Sequence, residues 1–227
     1  MTMGLLPSVC HIVNPKLKHT YLSFNDKGEL VVKSPGLSDK EIETLLIQKA
    51  AWITQAKQRI EAKKGRHTDI LEKRELFFLG NCYPLTLQKN NQRKTTLTVN
   101  EKQGATLRYY HDETTSLYRA IDTFYKKETQ KIVTSLVDKW AERMQTTPKA
   151  IKFRKTKRQW GSCSVNNTLS FNTMLSKLPL QLITYIVVHE LAHIRHKHHQ
   201  KAFWDEVARY MPDFQHHRQT LKAYTTY

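Results

Sequence analysis

A long helical pattern runs from Asp112 to Met144, and this stretch contains neither glycine nor proline. Within it, apolar side chains recur at helical spacing, at Leu117, Ile121, Phe124, Ile132, Leu136, Trp140 and Met144. Because such a stripe lies on one face of a helix, we predict a long helix that packs against a hydrophobic core. This helix separates a first half of short alternating segments from a second half that is rich in histidine.

The residues before this helix predict a β-rich region that contains one long helix of its own. Alternating polarity on both sides of a turn at Asp26-Lys27-Gly28 predicts a hairpin of residues 20–25 and 29–33. Ser38 and Glu41 have capping-box spacing, and the apolar residues after them predict a helix over residues 38–63. Further short strands are predicted at residues 75–79, 85–88, 95–100 and 105–110.

The residues after the long helix predict a second, smaller set of elements. Residues 150–155 and 168–172 have the character of strands, and residues 160–164 that of a turn between them. Pro179 precedes an apolar segment that predicts a helix over residues 180–194. We therefore expect two regions, residues 1–110 and residues 111–227.

Composition places the chain among globular proteins, with 39% hydrophobic and 25% charged residues. No apolar run approaches the ~20 residues that a membrane-spanning helix needs. The first ten residues do not have the pattern of a signal peptide. The three cysteines are odd in number and far apart, which does not indicate a disulfide framework. These features predict a cytoplasmic protein.

The histidines are unevenly placed, since seven of the eleven lie between residues 189 and 217. The segment His189-Glu190-Leu191-Ala192-His193 follows an apolar run, so it continues a buried helix. Residues four apart lie on one helix face, about 6 Å apart along the axis, so His189 and His193 can bind one metal ion. Glu190 lies beside them, where it can take a proton from metal-bound water without binding the metal.

A zinc hydrolase needs a third protein ligand and keeps the fourth position for water. In a continuous helix His196 would lie about 10 Å along the axis from His189, too far for both to bind one ion. The helix must therefore end soon after His193, and the chain can then return. His199 has the spacing of a known zinc motif and is favoured, while His198 and Glu206 stay open as alternatives.

The net charge of +17 is the second feature that bears on function. A positive field attracts acidic substrates, nucleotides and nucleic acid, or it serves solubility alone. One alternative function is therefore a nucleotide phosphohydrolase of the pyrophosphatase type that uses the same metal site. Another is a nucleic-acid-associated protease or a basic binding module. The sequence contains neither a glycine-rich phosphate loop nor a recognised nucleic-acid-binding motif.

Three residues outside the motif are candidate contacts for a substrate or a transition state. Tyr185 lies one turn before His189 and could donate a hydrogen bond to an oxyanion, with core packing as the alternative. Residues 168–172 are interpreted as an edge strand on which an extended peptide pairs, which would place Asn172 beside the substrate. Arg158 ends a basic run that forms either an anion-binding rim or a solvated face. The run consists of Lys152, Arg154, Lys155, Lys157 and Arg158.

Several segments together resemble the YgjP-like metallopeptidase family, which is related to SprT-like metalloproteases. They are Gln159-Trp-Gly-Ser-Cys-Ser164, Val187-Val-His-Glu-Leu-Ala-His193, His199-Gln-Lys-Ala-Phe-Trp204 and Met211-Pro-Asp213. The resemblance extends to the first half, through Ala51-Trp52-Ile53, Phe78-Leu-Gly80 and Tyr83-Pro-Leu85. It implies Zn²⁺ as cofactor, His189, His193 and His199 as its ligands, and Glu190 as general base.

These observations lead to one prediction of fold and function. We expect an α+β protein whose β-rich N-terminal region precedes a small zincin-like domain, with an antiparallel sheet and a zinc-binding helix. The predicted function is a zinc-dependent hydrolase, most consistent with a metallopeptidase that acts on a peptide or protein substrate. The sequence predicts neither the substrate nor the oligomeric state.

Overall fold

The computed structural model describes residues 9–25, 29–63 and 69–226, and its internal contacts divide the chain into units of residues 1–63 and 64–227. The turn predicted at Asp26-Lys27-Gly28 lies outside the described residues. The boundary predicted after residue 110 falls inside the second unit. In the described residues, the first unit contains one buried hydrophobic cluster and the second unit contains two.

The first unit consists of a three-stranded sheet and two helices. Its strands are β1 (Val9–Val13), β2 (Tyr21–Phe24) and β3 (Leu30–Ser34), in the order β1-β3-β2. The predicted hairpin is confirmed, because β2 and β3 pair antiparallel. Strand β1, which the sequence did not predict, pairs parallel with β3. The buried core of this unit comprises Leu30, Val32, Ile42, Leu46 and Ile53.

The single helix predicted over residues 38–63 is wrong, because the structure has two helices there. They are α1 (Asp39–Gln48) and α2 (Ala50–Glu61), and Lys49 between them has φ −100° and ψ 8°, outside helical geometry. The predicted capping box is confirmed: the Glu41 amide donates to Ser38 Oγ at 3.4 Å, and the Ser38 amide donates to the Glu41 carboxylate at 2.8 Å. The amphipathic pattern continues through the break and therefore does not reveal it.

The second unit begins with the short helix α3 (Asp69–Lys73) and a four-stranded sheet. The strands β4 (Glu75–Phe78), β5 (Asn81–Lys89), β6 (Thr96–Asn100) and β7 (Gly104–Tyr109) have the order β4-β5-β7-β6. The predicted long helix follows as α4 (Thr114–Arg143). Its first half packs on this sheet, since Leu117, Ile121 and Tyr125 share one buried cluster with Leu76 and Leu107.

A second sheet follows α4 and contains β8 (Ala150–Arg154), β9 (Gly161–Cys163) and β10 (Thr168–Asn172). Their order is β8-β10-β9, with β10 parallel to β8 and antiparallel to β9. Three predictions are corrected here. The sheet is mixed instead of antiparallel, residues 161–163 form a strand instead of a turn, and β10 is central instead of an edge strand.

Three helices complete the unit after a short 3-10 turn at Leu175–Lys177. They are α5 (Leu180–Arg195), α6 (Lys201–Tyr210) and α7 (Phe214–Leu221). Helix α5 lies in a cluster with Val133 and Val137 of α4 and with Leu169 and Phe171 of β10. The predicted α+β class is confirmed. None of the helices in the described ranges is long and apolar enough to cross a membrane.

Candidate metal centre

The buried helix α5 carries the histidine motif at its C-terminal end. Its residues Ile186, Val187 and Val188 are buried, and His189 follows them at a half-buried position. The helix ends at Arg195, and His196 adopts extended geometry with φ −123° and ψ 97°. The predicted end of the helix soon after His193 is therefore confirmed. The chain then turns back over residues 196–200 before α6 begins.

This turn brings three imidazoles together. His199 Nε2 lies 3.0 Å from His189 Nε2 and 3.1 Å from His193 Nε2. One ligand atom from each of the three rings falls within 4.8 Å of the other two. Two metal–nitrogen bonds of about 2.1 Å can join atoms at such separations, so the three rings have the spacing that one ion requires.

The alternative ligands lie in other environments. The Glu206 carboxylate accepts a hydrogen bond from Arg195 Nη1 at 2.6 Å and lies 3.8 Å from Arg209 Nη1. His198 is exposed and does not belong to the three-histidine cluster. His196 contributes its backbone carbonyl, which accepts a hydrogen bond from His193 Nδ1 at 2.9 Å. The structure thus brings His199, the favoured candidate, to His189 and His193.

The imidazoles are electrostatically prepared to stay neutral, which is the form that binds a metal. Burial lowers the pKa of His189 to about 3, with further contributions from His193, His199 and Arg218. Burial also lowers the pKa values of His193 and His199. The hydrogen bond from His193 Nδ1 to the His196 carbonyl places the ring proton on Nδ1 and leaves Nε2 free to bind.

Glu190 is buried beside the histidines, and the residue is only 5% exposed. Burial raises the pKa of its carboxyl group to about 8 in the metal-free chain. Its Oε2 atom and His189 Nδ1 are buried without a hydrogen-bond partner in the described part of the chain. An unpartnered buried carboxylate oxygen is costly, and a cation or a bound water at this position would satisfy it.

Gly161 of β9 makes the room that Glu190 occupies. A Cβ atom built on Gly161 would lie 2.6 Å from Glu190 Oε1 and 2.8 Å from its Cγ, closer than such contacts occur. The backbone of β9 therefore lies directly against the glutamate. The sequence suggested that Gly161 serves a turn, whereas the structure gives it this close approach.

Aromatic rings form one wall of the centre. Phe203 is fully buried, and its ring centroid lies 4.4 Å from that of His193. The Trp204 ring stacks on His199 with centroids 5.5 Å apart and an interplanar angle of 24°. Because both residues belong to α6, this helix fixes the orientation of the imidazole rings from outside the turn.

Arg195 connects the elements around the turn. Besides its ion pair with Glu206, it donates through Nη2 to the carbonyls of Met144 at 2.7 Å and Gln145 at 2.9 Å. The Glu206 side chain is only 7% exposed. Arg195 therefore joins the C-terminal ends of α4 and α5 to α6. The sequence did not reveal this contact, because its partners lie far apart along the chain.

The three predicted contacts for a substrate or a transition state lie in different environments. Tyr185 is buried, with its ring centroid 5.8 Å from that of His189, which favours the core-packing alternative. Asn172 is also buried; its amide donates to the Thr156 carbonyl at 2.7 Å, and its oxygen accepts from the Met174 amide at 3.0 Å. Asn172 therefore uses its amide to hold the loop that contains Thr156. Arg158 is exposed.

The basic run before the metal helix partly lines a groove. Lys152 and Arg154 lie on the outer face of β8, where they border a groove of about 690 Å³ together with Lys149 and hydroxyl groups of β9 and β10. Lys155 instead forms an ion pair with Asp122 at 2.7 Å. The sequence also missed Arg218 of α7, whose guanidinium carbon lies 5.0 Å from the centroid of the Trp204 ring.

A mixed α+β unit with two histidines four apart on a buried helix, a glutamate between them and a third histidine on the returning chain defines the class of metal-dependent hydrolases. The YgjP-like metallopeptidase domain matches residues 18–224, and the chain therefore belongs to the YgjP-like metallopeptidase family. It is a metallopeptidase by this membership. Comparison with curated proteins gave no match.

Two solved structures are similar over a limited part of the chain. One is the crystal structure of the metallopeptidase zymogen of Pyrococcus abyssi abylysin, with 21% identity and a TM-score of 0.37, covering 39% of this chain and 90% of the other. The second is the metallopeptidase zymogen of Methanocaldococcus jannaschii jannalysin, with 21% identity and a TM-score of 0.36, covering 39% and 86%.

Proposed function

We propose that this chain hydrolyses peptide bonds with a zinc ion bound by His189, His193 and His199, and with Glu190 as the general base. The observation that carries the proposal is the convergence of the three Nε2 atoms, at separations of 3.0 and 3.1 Å from His199, beside a buried carboxyl group. Membership of the metallopeptidase family supports peptide as the substrate class.

The donor set fits zinc, because three neutral imidazoles and one open position are a common catalytic zinc site. When bound, zinc lowers the pKa of a coordinated water to about 7 and polarises a carbonyl oxygen. The protein prepares for this chemistry in two ways. Lowered histidine pKa values keep the rings unprotonated at neutral pH, and the His193–His196 hydrogen bond holds one ring in the binding tautomer.

Glu190 is placed to move the proton. Its unpartnered Oε2 can accept a proton from water and later deliver it to the leaving nitrogen, as a general base and then a general acid. A raised pKa suits this exchange, since a group that titrates near the working pH both accepts and releases a proton readily. A nearby cation lowers that pKa again and favours the carboxylate form.

Strand β9 is a better candidate than β10 for binding the substrate backbone, because β10 (Thr168–Asn172) lies in the centre of its sheet. β9 lies at the edge of its sheet as far as the chain is described, and its Gly161 contacts Glu190. An extended peptide that pairs with this edge would pass close to the general base.

The experiment combines metal analysis with a peptide-hydrolysis assay on purified protein. We expect the parent chain to carry about one zinc ion and to cleave unstructured peptides, whereas His193→Ala loses zinc and activity. Glu190→Gln should keep the metal and lose a factor of roughly 10²–10⁴ in kcat.

His198→Ala is the matched control, because His198 adjoins His199 but lies outside the cluster, and it should keep both properties. Nucleotides serve as comparison substrates. A parent chain without bound metal, or one that hydrolyses nucleotides and no peptide, would disprove the proposal.

A further inference from the structure

Arg218 stands one aromatic ring away from the three histidines. Its guanidinium carbon lies 5.0 Å from the centroid of the Trp204 ring. The same ring stacks on His199 at 5.5 Å and contacts His189 at 5.9 Å. The positive charge of Arg218 is close enough to lower the pKa values of His189 and His199. A fixed cation therefore lies beside the candidate metal centre without being one of its ligands.

Arg218 also differs from the neighbouring charged residues in its partners. Asp213 of the same region pairs with His217 at 3.1 Å, and Glu206 pairs with Arg195 at 2.6 Å. Arg218 is exposed, and no carboxylate of the described ranges forms an ion pair with it. A guanidinium that rests on an indole ring keeps its planar edge of N–H donors free for a carboxylate.

The surroundings of the centre are positive on the side of the sheet as well. The sequence contains no aspartate or glutamate from Met144 to His189, although this stretch includes seven lysines and arginines. Three of them, Lys149, Lys152 and Arg154, border the groove on the sheet that contains β9. Such a field raises the local concentration of acidic peptides and opposes basic ones.

We infer that the site prefers peptides with an acidic side chain next to the scissile bond, and that Arg218 binds this carboxylate. The inference rests on the proposed peptide hydrolysis and adds the substrate class. The guanidinium carbon of Arg218 and the His199 ring both lie within 5.5 Å of the Trp204 ring centroid, so we expect a glutamate side chain whose backbone lies at the metal centre to reach Arg218. The charge-assisted, bidentate pair accounts for the selectivity.

Binding is tested first, without turnover, in the zinc-loaded Glu190→Gln variant. Fluorescence anisotropy compares labelled peptides that carry one glutamate with otherwise identical peptides that carry glutamine. We expect about tenfold tighter binding of the glutamate peptides, which is about 1.4 kcal/mol, because the pair with Arg218 is charge-assisted. Adding Arg218→Gln should abolish the difference while the zinc content stays unchanged.

The matched control is Arg143→Gln, because Arg143 lies over the Trp140 ring at 4.6 Å, in the same kind of contact but on α4. This variant should keep the full glutamate preference. The inference is overturned if the Arg218 and Arg143 variants show the same preference for glutamate over glutamine peptides. It is also overturned if the Glu190→Gln variant with both arginines shows no such preference.

A cleavage assay with the parent chain, which keeps Glu190, distinguishes this inference from the proposed function. Cleavage with a glutamate preference that depends on Arg218 supports both. Cleavage without any charge preference leaves the proposed function standing and overturns the inference. Arg218-dependent binding of glutamate peptides with no cleavage of any peptide overturns peptide hydrolysis and supports carboxylate binding by Arg218.

Discussion

Gly161 and Glu190 lie against each other in the candidate site, and this arrangement depends on the absence of a side chain at residue 161. A Cβ there would lie 2.6 Å from Glu190 Oε1. Because Gly161 does not have a positive φ, alanine fits its backbone, and the three atoms nearest to the added Cβ all belong to Glu190. The substitution therefore tests the position of the general base directly.

We predict that Gly161→Ala lowers kcat for peptide hydrolysis by roughly 10²-fold, because a displacement of about 1 Å in a catalytic group costs this much. Zinc content should stay at the parent value, since the three histidines are untouched. Steady-state kinetics and metal analysis of the purified variant measure both quantities. Parent-like kcat would show that Glu190 moves aside without loss and that its present position is not the active one.

Gly104→Ala provides the contrasting control. Gly104 has φ +91°, and its Cβ would lie 2.8 Å from the Pro84 carbonyl oxygen, in the β4-β5-β7-β6 sheet, which contains none of the three histidines. This change strains the backbone and should lower the stability of the second unit while the folded fraction keeps its kcat. The two glycines thus separate loss of catalysis from loss of stability.

At the residue scale, the sequence predicts those groups whose relation is local. His189, Glu190 and His193 lie within five residues on one helix, so helical geometry alone places them together. Once the helix is required to end, the spacing favours His199 as the third ligand, while His198 and Glu206 stay open. Gly161 and Arg218 are different, because their relation to the site comes from β9 and α7, which reach it only through tertiary packing.

The turn between α5 and α6 is the element on which the third ligand depends. Arg195 holds both sides of this turn, through Glu206 on α6 at 2.6 Å and through the carbonyls of Met144 and Gln145 at the end of α4. Since Glu206 is buried, this ion pair is shielded from solvent more than a surface pair. We infer that it determines where His199 lies relative to the other ligands.

We predict that Arg195→Gln weakens zinc binding by about 10- to 100-fold, the usual cost of losing an outer contact that orients a metal ligand. Competition with a chelator of known affinity measures the change, at a temperature where the variant stays folded. Arg195→Lys should recover part of the affinity, because it restores the charge to Glu206 but not the paired carbonyl contacts.

Asp205→Asn is the matched control on the same helix. Asp205 pairs with Lys201 at 2.7 Å, but both side chains are largely exposed, so this pair contributes little. Zinc affinity should be that of the parent chain. If Arg195→Gln also binds zinc like the parent, the turn is held by other contacts and the role given to Arg195 is wrong.

For whole elements, the sequence predicts whether a segment is a helix or a strand better than it predicts which elements lie beside it. Residues 168–172 do form a strand, but β10 is central, because β8 pairs parallel with it and β9 lies on its other side. A chain of three strands in sequence does not reveal a crossover of this kind. Residues 161–163 were predicted as a turn because glycine and serine are common in both contexts.

At the scale of the whole molecule, helix α4 joins the two hydrophobic clusters of the second unit, so this unit continues across residue 110, where the sequence predicts a boundary. Its first half belongs to the cluster with Leu76 and Leu107, and its second half, with Val133 and Val137, belongs to the cluster that contains α5. The periodic stripe predicted the helix, but its residues Phe124, Ile132 and Leu136 are only partly buried. The buried positions beside them belong to Tyr125, Val133 and Val137. The pattern did not show that the two halves of α4 pack in different clusters, because both halves have the same apolar spacing.

The stability of the second unit should report the buried charge of Glu190. Its pKa is about 8 in the folded, metal-free chain, against 4.5 for an unperturbed glutamate. Between these pH values the folded state binds more protons than the unfolded state, so the free energy of unfolding decreases as pH rises. Glutamine has the same shape and no charge, so Glu190→Gln does not have this loss.

We therefore predict that metal-free Glu190→Gln and the parent have similar stability near pH 4.5, and that the variant becomes more stable by on the order of 3–5 kcal/mol near pH 8. His189, whose pKa is lowered to about 3, destabilises both proteins as pH falls below 6.5. Its contribution cancels in the difference. Hydrogen exchange of the α5 amides measures the free energy in the second unit.

Zinc supplies the decisive comparison. A cation beside Glu190 stabilises its carboxylate, so the advantage of the variant at pH 8 should shrink or disappear when zinc is bound. His193→Ala lacks one ligand and should not hold the ion. In this background, Glu190→Gln should therefore keep its higher stability at pH 8 even when zinc is added. A difference between variant and parent that is the same at every pH, with or without zinc, would mean that Glu190 is solvated and not buried beside the metal centre.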